Sequence, residues 1–197
     1  KTADAGFDIV SYTGNGSAST ISHSLSAVPE WIIVKNRDEA EPWTIYHHKN
    51  TSAPATDYLA LNDTHATTDS NTRWNDTAPT SSVFTVGTSD VVNKNTIKYI
   101  AYLFAEKQGY SKFGSYTGNG NADGTFVYTG FKPAWFMCKE SSNVGNWIMF
   151  DNKRGPFNLN NDFLQADLGD AEVTDHSTIR CDFVSGGVKL RGTNNAI

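Results

Sequence analysis

Charge is scarce in this sequence: charged residues make up 19% of its 197 positions and the formal net charge is −5. The Lys and Arg residues stand singly, so no basic stripe can neutralise phosphates, and nucleic acid is excluded as an expected partner. Long hydrophobic runs are absent as well. The longest of interest, YIAYLFA at Tyr99–Ala105, is about a third of the roughly 20 residues that cross a bilayer. It reads as a strand, and no membrane insertion is expected. Only two cysteines occur, Cys138 and Cys181, which allow one cross-strand disulfide or two small buried hydrophobes. Catalytic patterns are missing too. There is no GxSxG elbow, and His23, set between Ser22 and Ser24, has no strand-turn-helix context. His47 and His48 are adjacent, so on a strand they point to opposite faces and do not share a metal. Asp63, Asp69 and Asp76 supply oxygen ligands, but their spacing matches no calcium loop. The acids Asp38, Glu39, Glu41, Asp162, Asp167, Asp170 and Glu172 fall in connections. No catalytic residue, metal ligand or cofactor is assigned, and an enzyme is not expected.

What the chain does have is aromatic residues, at 12%, and an abundance of Thr, Ser, Asn and Gly, a profile that favours strands and turns. It also has the hexapeptide SYTGNG twice, at Ser11–Gly16 and at Ser115–Gly120. The offset of 104 residues between the two copies carries Pro29 onto Pro133, Trp31 onto Trp135, Lys35 onto Lys139 and Trp43 onto Trp147 without a gap. A register kept by prolines and tryptophans over such a length reads as an internal duplication. In each copy an apolar run (WIIVK, WFMCK), a polar connection and a second run (WTIYH, WIMFD) predict a hairpin. Apolar residues on both faces place it inside a sandwich. The Gly-Asn-Gly of each hexapeptide is read as a reversal after a first strand, its glycines supplying positive φ.

The expected fold is therefore all-β: two tandem antiparallel β-sandwich domains of immunoglobulin or jelly-roll type, residues 1–110 and 111–197. The first copy closes with the alternating strand around Ile100–Phe104. At the same offset the counterpart would fall beyond Ile197, so the second domain is expected to lack its closing strand. A sandwich short of one internal strand exposes an apolar groove and unpaired backbone, to be filled by a segment of the same chain, by a strand from a neighbouring subunit, or by native residues beyond those of this sequence. Trp135, Met137, Trp147, Val188 and Leu190 are the expected groove lining. Phe7, Ile9 and Val10, in an alternating amino-terminal segment, are the candidate donor. Head-to-tail donation of this kind gives a helical or fibrous homo-oligomer. The second candidate partner is a glycan, bound through Trp74 amid the Asn, Asp and Thr residues of LNDTHATTDSNTRWNDT.

The ordered string SYTGNG, WIIVKNR, W-x-IYH, VFTVGTS, YIAYLFAE and then GSYTGNG with GFKPAWFM resembles an uncharacterised tandem-repeat β-sandwich family of tailed-phage and environmental, especially aquatic, sequences. The resemblance covers nearly the whole chain, apart from the second closing strand. It implies a non-enzymatic structural protein of an extracellular appendage or virion, and it transfers no catalytic residue.

Overall fold

The computed structural model describes residues 3–197, and its strands are all antiparallel. Contacts gather the chain into two compact units. The first takes the residues up to Leu61 together with Thr67–Lys107 and Ser111–Gly114; the second takes Asn62–Ala66, Gln108–Tyr110 and Ser115–Ile197.

The first unit contains β1 (Phe7–Thr13), β2 (Ser19–Ser22), β3 (Trp31–Asn36), β4 (Thr44–His47), β5 (Asp57–Ala60) and β6 (Thr68–Asp69), then a helical turn α1 (Asn71–Trp74). After these come β7 (Val83–Val86), a second helical turn α2 (Asp90–Asn93) and β8 (Lys98–Phe104). Six strands form one sheet in the order β1-β8-β3-β4-β5-β6, and β2 pairs with β7 in another. The last strand of the unit is thus inserted between β1 and β3, with Phe7 opposite Phe104 on one side and Trp31 opposite Phe104 on the other. Its alternation explains the position. Tyr99, Ala101 and Leu103 are fully buried against Ile32 and Val34 of β3 and Phe84 and Val86 of β7, so the two sheets share one core. The expectation that both faces of β3 are core is half met: Ile32 and Val34 enter the core, whereas Trp31 joins an aromatic layer on the other face. There its ring centroid lies 5.6 Å from Phe104 and 5.9 Å from Phe113.

The second unit contains β9 (Phe126–Tyr128), β10 (Trp135–Lys139), β11 (Trp147–Asp151), β12 (Leu164–Gln165), β13 (Cys181–Val184) and β14 (Gly187–Leu190). They form two three-stranded sheets, β10-β11-β12 and β13-β14-β9. The β10–β11 hairpin has the register of β3–β4: Phe136 faces Phe150 as Ile32 faces Tyr46, and Cys138 faces Ile148 as Val34 faces Thr44. The repeated lysine has a structural task in each hairpin. Lys35 Nζ donates to the carbonyls of Glu39 and Glu41, and Lys139 Nζ to those of Glu140 and Asn143, so each ammonium ties down the polar connection.

The two SYTGNG copies differ. In the first, Gly14 N donates to Ile97 O at 2.8 Å, Thr96 N to Gly14 O at 2.9 Å, and Gly16 N to the carbonyl of buried Asn93 at 2.8 Å. Gly16 has a φ of +73° and Gly120 of +62°, as a reversal demands. Gly14 is glycine for another reason: a Cβ there would stand 2.2 Å from the Lys94 carbonyl oxygen. The second copy was expected to follow a strand, and it does not. Residues 112–119 join no ladder, because β1 exists through its hydrogen bonds to β8 and the second unit contains no strand in that place.

Candidate functional site

The open edge of β10 is the feature that sets the second unit apart. In the first unit β3 has β4 on one side and β8 on the other; in the second, β10 has β11 on one side and, among the described residues, no strand on the other. The far edge of these five residues therefore joins no ladder among the described residues. At one end of this edge Trp135 is 50% exposed, with no counterpart of the Phe104 ring that covers Trp31. A cleft of about 320 Å³ opens beside the β10–β11 connection. Glu140, Asn143, Asn146, Gln165 and Asn194 line it, with Ile148 in its wall.

Local interactions hold this cleft in shape. Asp167 accepts from Trp147 N at 2.8 Å and from Asn146 Nδ2 at 2.6 Å, which fixes the start of β11. Glu140 Oε1 accepts from Asn143 Nδ2 at 2.5 Å. Burial lowers the pKa of the Lys139 ammonium, while the carboxylates of Glu140, Asp167 and Asp63 act in the opposite sense. Behind the edge, Cys138 and Cys181 are buried free thiols, and burial pushes Cys138 up to about 12 and raises Cys181 further. Of the two alternatives the sequence left open for this pair, the structure has the unbridged one.

The residues singled out as groove lining divide. Trp135 and Met137 lie along the open edge, but Trp147, Val188 and Leu190 are buried. The correction has a physical cause. β13 pairs with β14, and Phe183, Ile179 and Ile197 pack over the same core, so the unit seals most of its apolar interior itself and only the edge and cleft stay open. Phe7, Ile9 and Val10 lie in β1, held along seven paired positions by β8 of the same chain. Trp74 requires a second correction. It is only 2% exposed, its indole Nε1 donates to Asp57 O at 3.0 Å, and it meets Tyr46 edge to face, so no sugar can stack on it.

The carboxylates act as ties. Asp38 Oδ2 accepts from Lys98 N, Glu39 pairs with Lys94 at 2.6 Å, Asp162 accepts from Asp175 N, and Glu172 pairs with Arg154 at 2.7 Å. No group of three His, Cys, Asp or Glu side chains among the described residues is placed to hold a metal ion. His47 and His48 do not point cleanly apart as expected; their ring centroids are 5.5 Å from each other. Among the described residues no helix is long and apolar enough to cross a membrane. The cleft itself was not anticipated from the sequence. The signal for it was available in the run of Asn residues at 143, 146, 194 and 195, which loops alone do not require.

No curated protein matches the chain, and no solved structure does. One family model, described as a domain of unknown function, matches residues 1–197. The chain therefore belongs to the DUF7483 family.

Proposed function

We propose that this protein is a non-enzymatic structural subunit whose second unit receives a β-strand from a neighbouring subunit along β10, so that subunits join into a fibre of an extracellular appendage or virion. The observation that supports the reading is the contrast between two hairpins of identical register, one paired on its far side with β8 and one that, among the described residues, has no strand there. Strand addition to an exposed edge draws affinity from main-chain hydrogen bonds and specificity from alternate side chains. A contact that joins unlike surfaces of successive subunits propagates instead of closing on itself. The amino-terminal strand stays in its own sheet in this arrangement, because lending β1 elsewhere would cost β8 its seven pairings on that side. The glycan-binding alternative rests on Trp74, and its burial leaves that reading without a contact residue.

Light scattering and negative-stain microscopy across a concentration series test the reading. Assemblies that grow with concentration are expected, and Trp135→Lys, a charge at an exposed edge position, is expected to suppress them while leaving the fold intact. A protein that stays monomeric at every concentration would refute it.

A further inference from the structure

The pairing of β2 with β7 in the first unit is repeated by β9 with β14 in the second, but the solvent face is built differently. β7 and β14 stand 104 residues apart, so Val83 matches Gly187 and Thr85 matches Lys189. Their cross-strand neighbours in β2 are Ser22 and Thr20, both exposed; in β9 they are Tyr128 and Phe126. Small polar residues suit the outward positions of a solvated sheet, and the first unit folds with them. In the second unit the same two positions carry aromatic rings, with Phe126 46% and Tyr128 68% exposed. The valine opposite has become glycine. A Cβ at Gly187 would stand 3.2 Å from Phe126 Cε2, and one at Gly186 would stand 3.8 Å from Phe126 Cζ and from Tyr128 Cε2. The rings thus border a strip of bare main chain, with Val184 paired to Gly187 on its other side. Shielding that glycine backbone does not use both rings up, because Tyr128 keeps about two-thirds of its surface in water. Charged side chains continue the face. Asp182, Lys189 and Phe126 stand side by side across the three strands. Lys189 pairs with Asp123 at 2.8 Å, and Arg191 pairs with Asp182 at 2.7 Å and reaches to 3.7 Å from Asp123.

We infer that Phe126 and Tyr128 form a binding platform for an uncharged pyranose glycan, with the Lys189–Asp123 and Arg191–Asp182 pairs serving its hydroxyls. The occupant is argued from charge and from area. Two cations and two carboxylates cancel, so the face has no net complement to offer a phosphate, a polyanion or a charged peptide. A sugar asks for no net charge. Its hydroxyls both donate and accept, and here carboxylate acceptors stand beside ammonium and guanidinium donors, next to the rings. An aromatic ring covers the C–H face of a pyranose, and the phenol of Tyr128 adds a polar tip. Area sets the size of the ligand. Three strands about 4.8 Å apart and about four residues long span roughly 10 by 13 Å, far short of the about 800 Å² that each side of a stable protein complex buries. Phe126 and Tyr128, two residues and so about 7 Å apart along β9, match one or two sugar rings. Trp74, a core residue of the first unit, has no part in this platform. The inference also stands apart from strand addition, which concerns β10 in the other sheet of the second unit.

The test takes the intact protein to an array of neutral and charged glycans, followed by saturation-transfer NMR with lactose, maltose and cellobiose at millimolar concentration. Uncharged glycans are expected to bind, and saturation of the protein's aromatic protons is expected to reach the C–H protons of the sugar, a readout that needs no variant. Phe126→Thr combined with Tyr128→Ser installs what β2 carries at these positions, and calorimetry checks that it folds. It is expected to bind more than about tenfold more weakly, the scale of two lost ring contacts. Tyr128→Phe keeps the ring and is expected to bind only about threefold more weakly, the scale of one lost hydroxyl contact. A folded protein that binds no uncharged glycan, or binds only sulfated or sialylated ones, overturns the platform. Equal binding by the folded double variant overturns it as well. So does a blank array combined with self-association that the double variant loses in light scattering, which would give this face to a second copy of the chain.

Discussion

Two identical hexapeptides in one chain allow one substitution to be made twice in the same sequence context, and the structure assigns it opposite outcomes. In the first copy, Gly14→Ala forces a Cβ to 2.2 Å from Lys94 O, about 0.8 Å inside the closest approach real Cβ atoms make. The obstacle is main chain, so relief means moving the loop that leads into β8. Overpacking of this kind costs about 1–3 kcal/mol. The movement also strains the bonds from Gly14 N to Ile97 O and from Thr96 N to Gly14 O, each worth about 1 kcal/mol. A total loss of about 3 kcal/mol follows, or roughly 6–12 °C in Tm for a chain of this length. In the second copy, Gly118→Ala meets nothing closer than 3.5 Å, and its φ is not positive. Removing backbone freedom from the unfolded chain there is expected to leave stability unchanged or raise it by about 0.4–1 kcal/mol. Calorimetry and urea titration of the two variants measure the difference. Equal losses at both positions would refute the assignment of Gly14 to close packing.

Acid should weaken the fold through His47. Burial and the neighbouring His48 lower its pKa from 6.5 to about 4, so between these values the unfolded chain takes up a proton that the folded one refuses. Stability is fully present above pH 6.5 and falls by about 3 kcal/mol as pH drops towards 4. His47→Gln should flatten that slope in denaturation curves at pH 4.5 and pH 7.5, and an unchanged slope assigns the acid sensitivity elsewhere. Trp74→Ala should cost about 3–5 kcal/mol as a core truncation, read as a collapse of the unfolding midpoint; a stable variant with altered glycan binding would reverse the reading of this residue. Both thiols should resist an aromatic disulfide reagent at pH 8 until denaturant is added, because burial holds Cys138 near 12 and Cys181 higher still. Rapid labelling of the native protein contradicts their placement.

The all-β character and the hairpin register were legible because they rest on local pattern: β-branched and aromatic runs, a proline before each, and a lysine whose ammonium anchors the connection. The burial of Val188 and Leu190 was misjudged because the strand that helps cover them, β13, has no strand at the corresponding place in the first unit. Trp74 was misplaced for a similar reason. Its surroundings in sequence are polar, and it is drawn inward by α1, a single helical turn, onto Tyr46, 28 positions earlier in the chain. β5 lay hidden in the same polar stretch, with Leu59 and Ala60 its only buried apolar residues. The two hexapeptides make the general case. Their letters are identical, but the first begins within a paired strand and the second lies outside any ladder, since the hydrogen bonds that make β1 a strand come from β8, more than 80 residues away. Local sequence encodes the turn, and a distant partner decides whether a strand precedes it.

An unpaired edge alone would be weak support for assembly, because its amides and carbonyls are satisfied by water at little cost. The side chains make the stronger case. Trp135 is half exposed where its counterpart Trp31 lies against Phe104, and carboxamides line the cleft beside the β10–β11 connection. Neither arrangement improves the isolated unit. Solvent-facing tryptophan gives up burial free energy, and carboxamides around an empty cleft bond to water no better than serine on an open surface. Ordering a free strand of seven residues against such a site costs about 7–14 kcal/mol of backbone entropy, which consumes most of what its side chains and hydrogen bonds return. If a strand is added at this edge, one already ordered by a folded neighbour is favoured over a loose segment, because its ordering cost has been met before the contact forms.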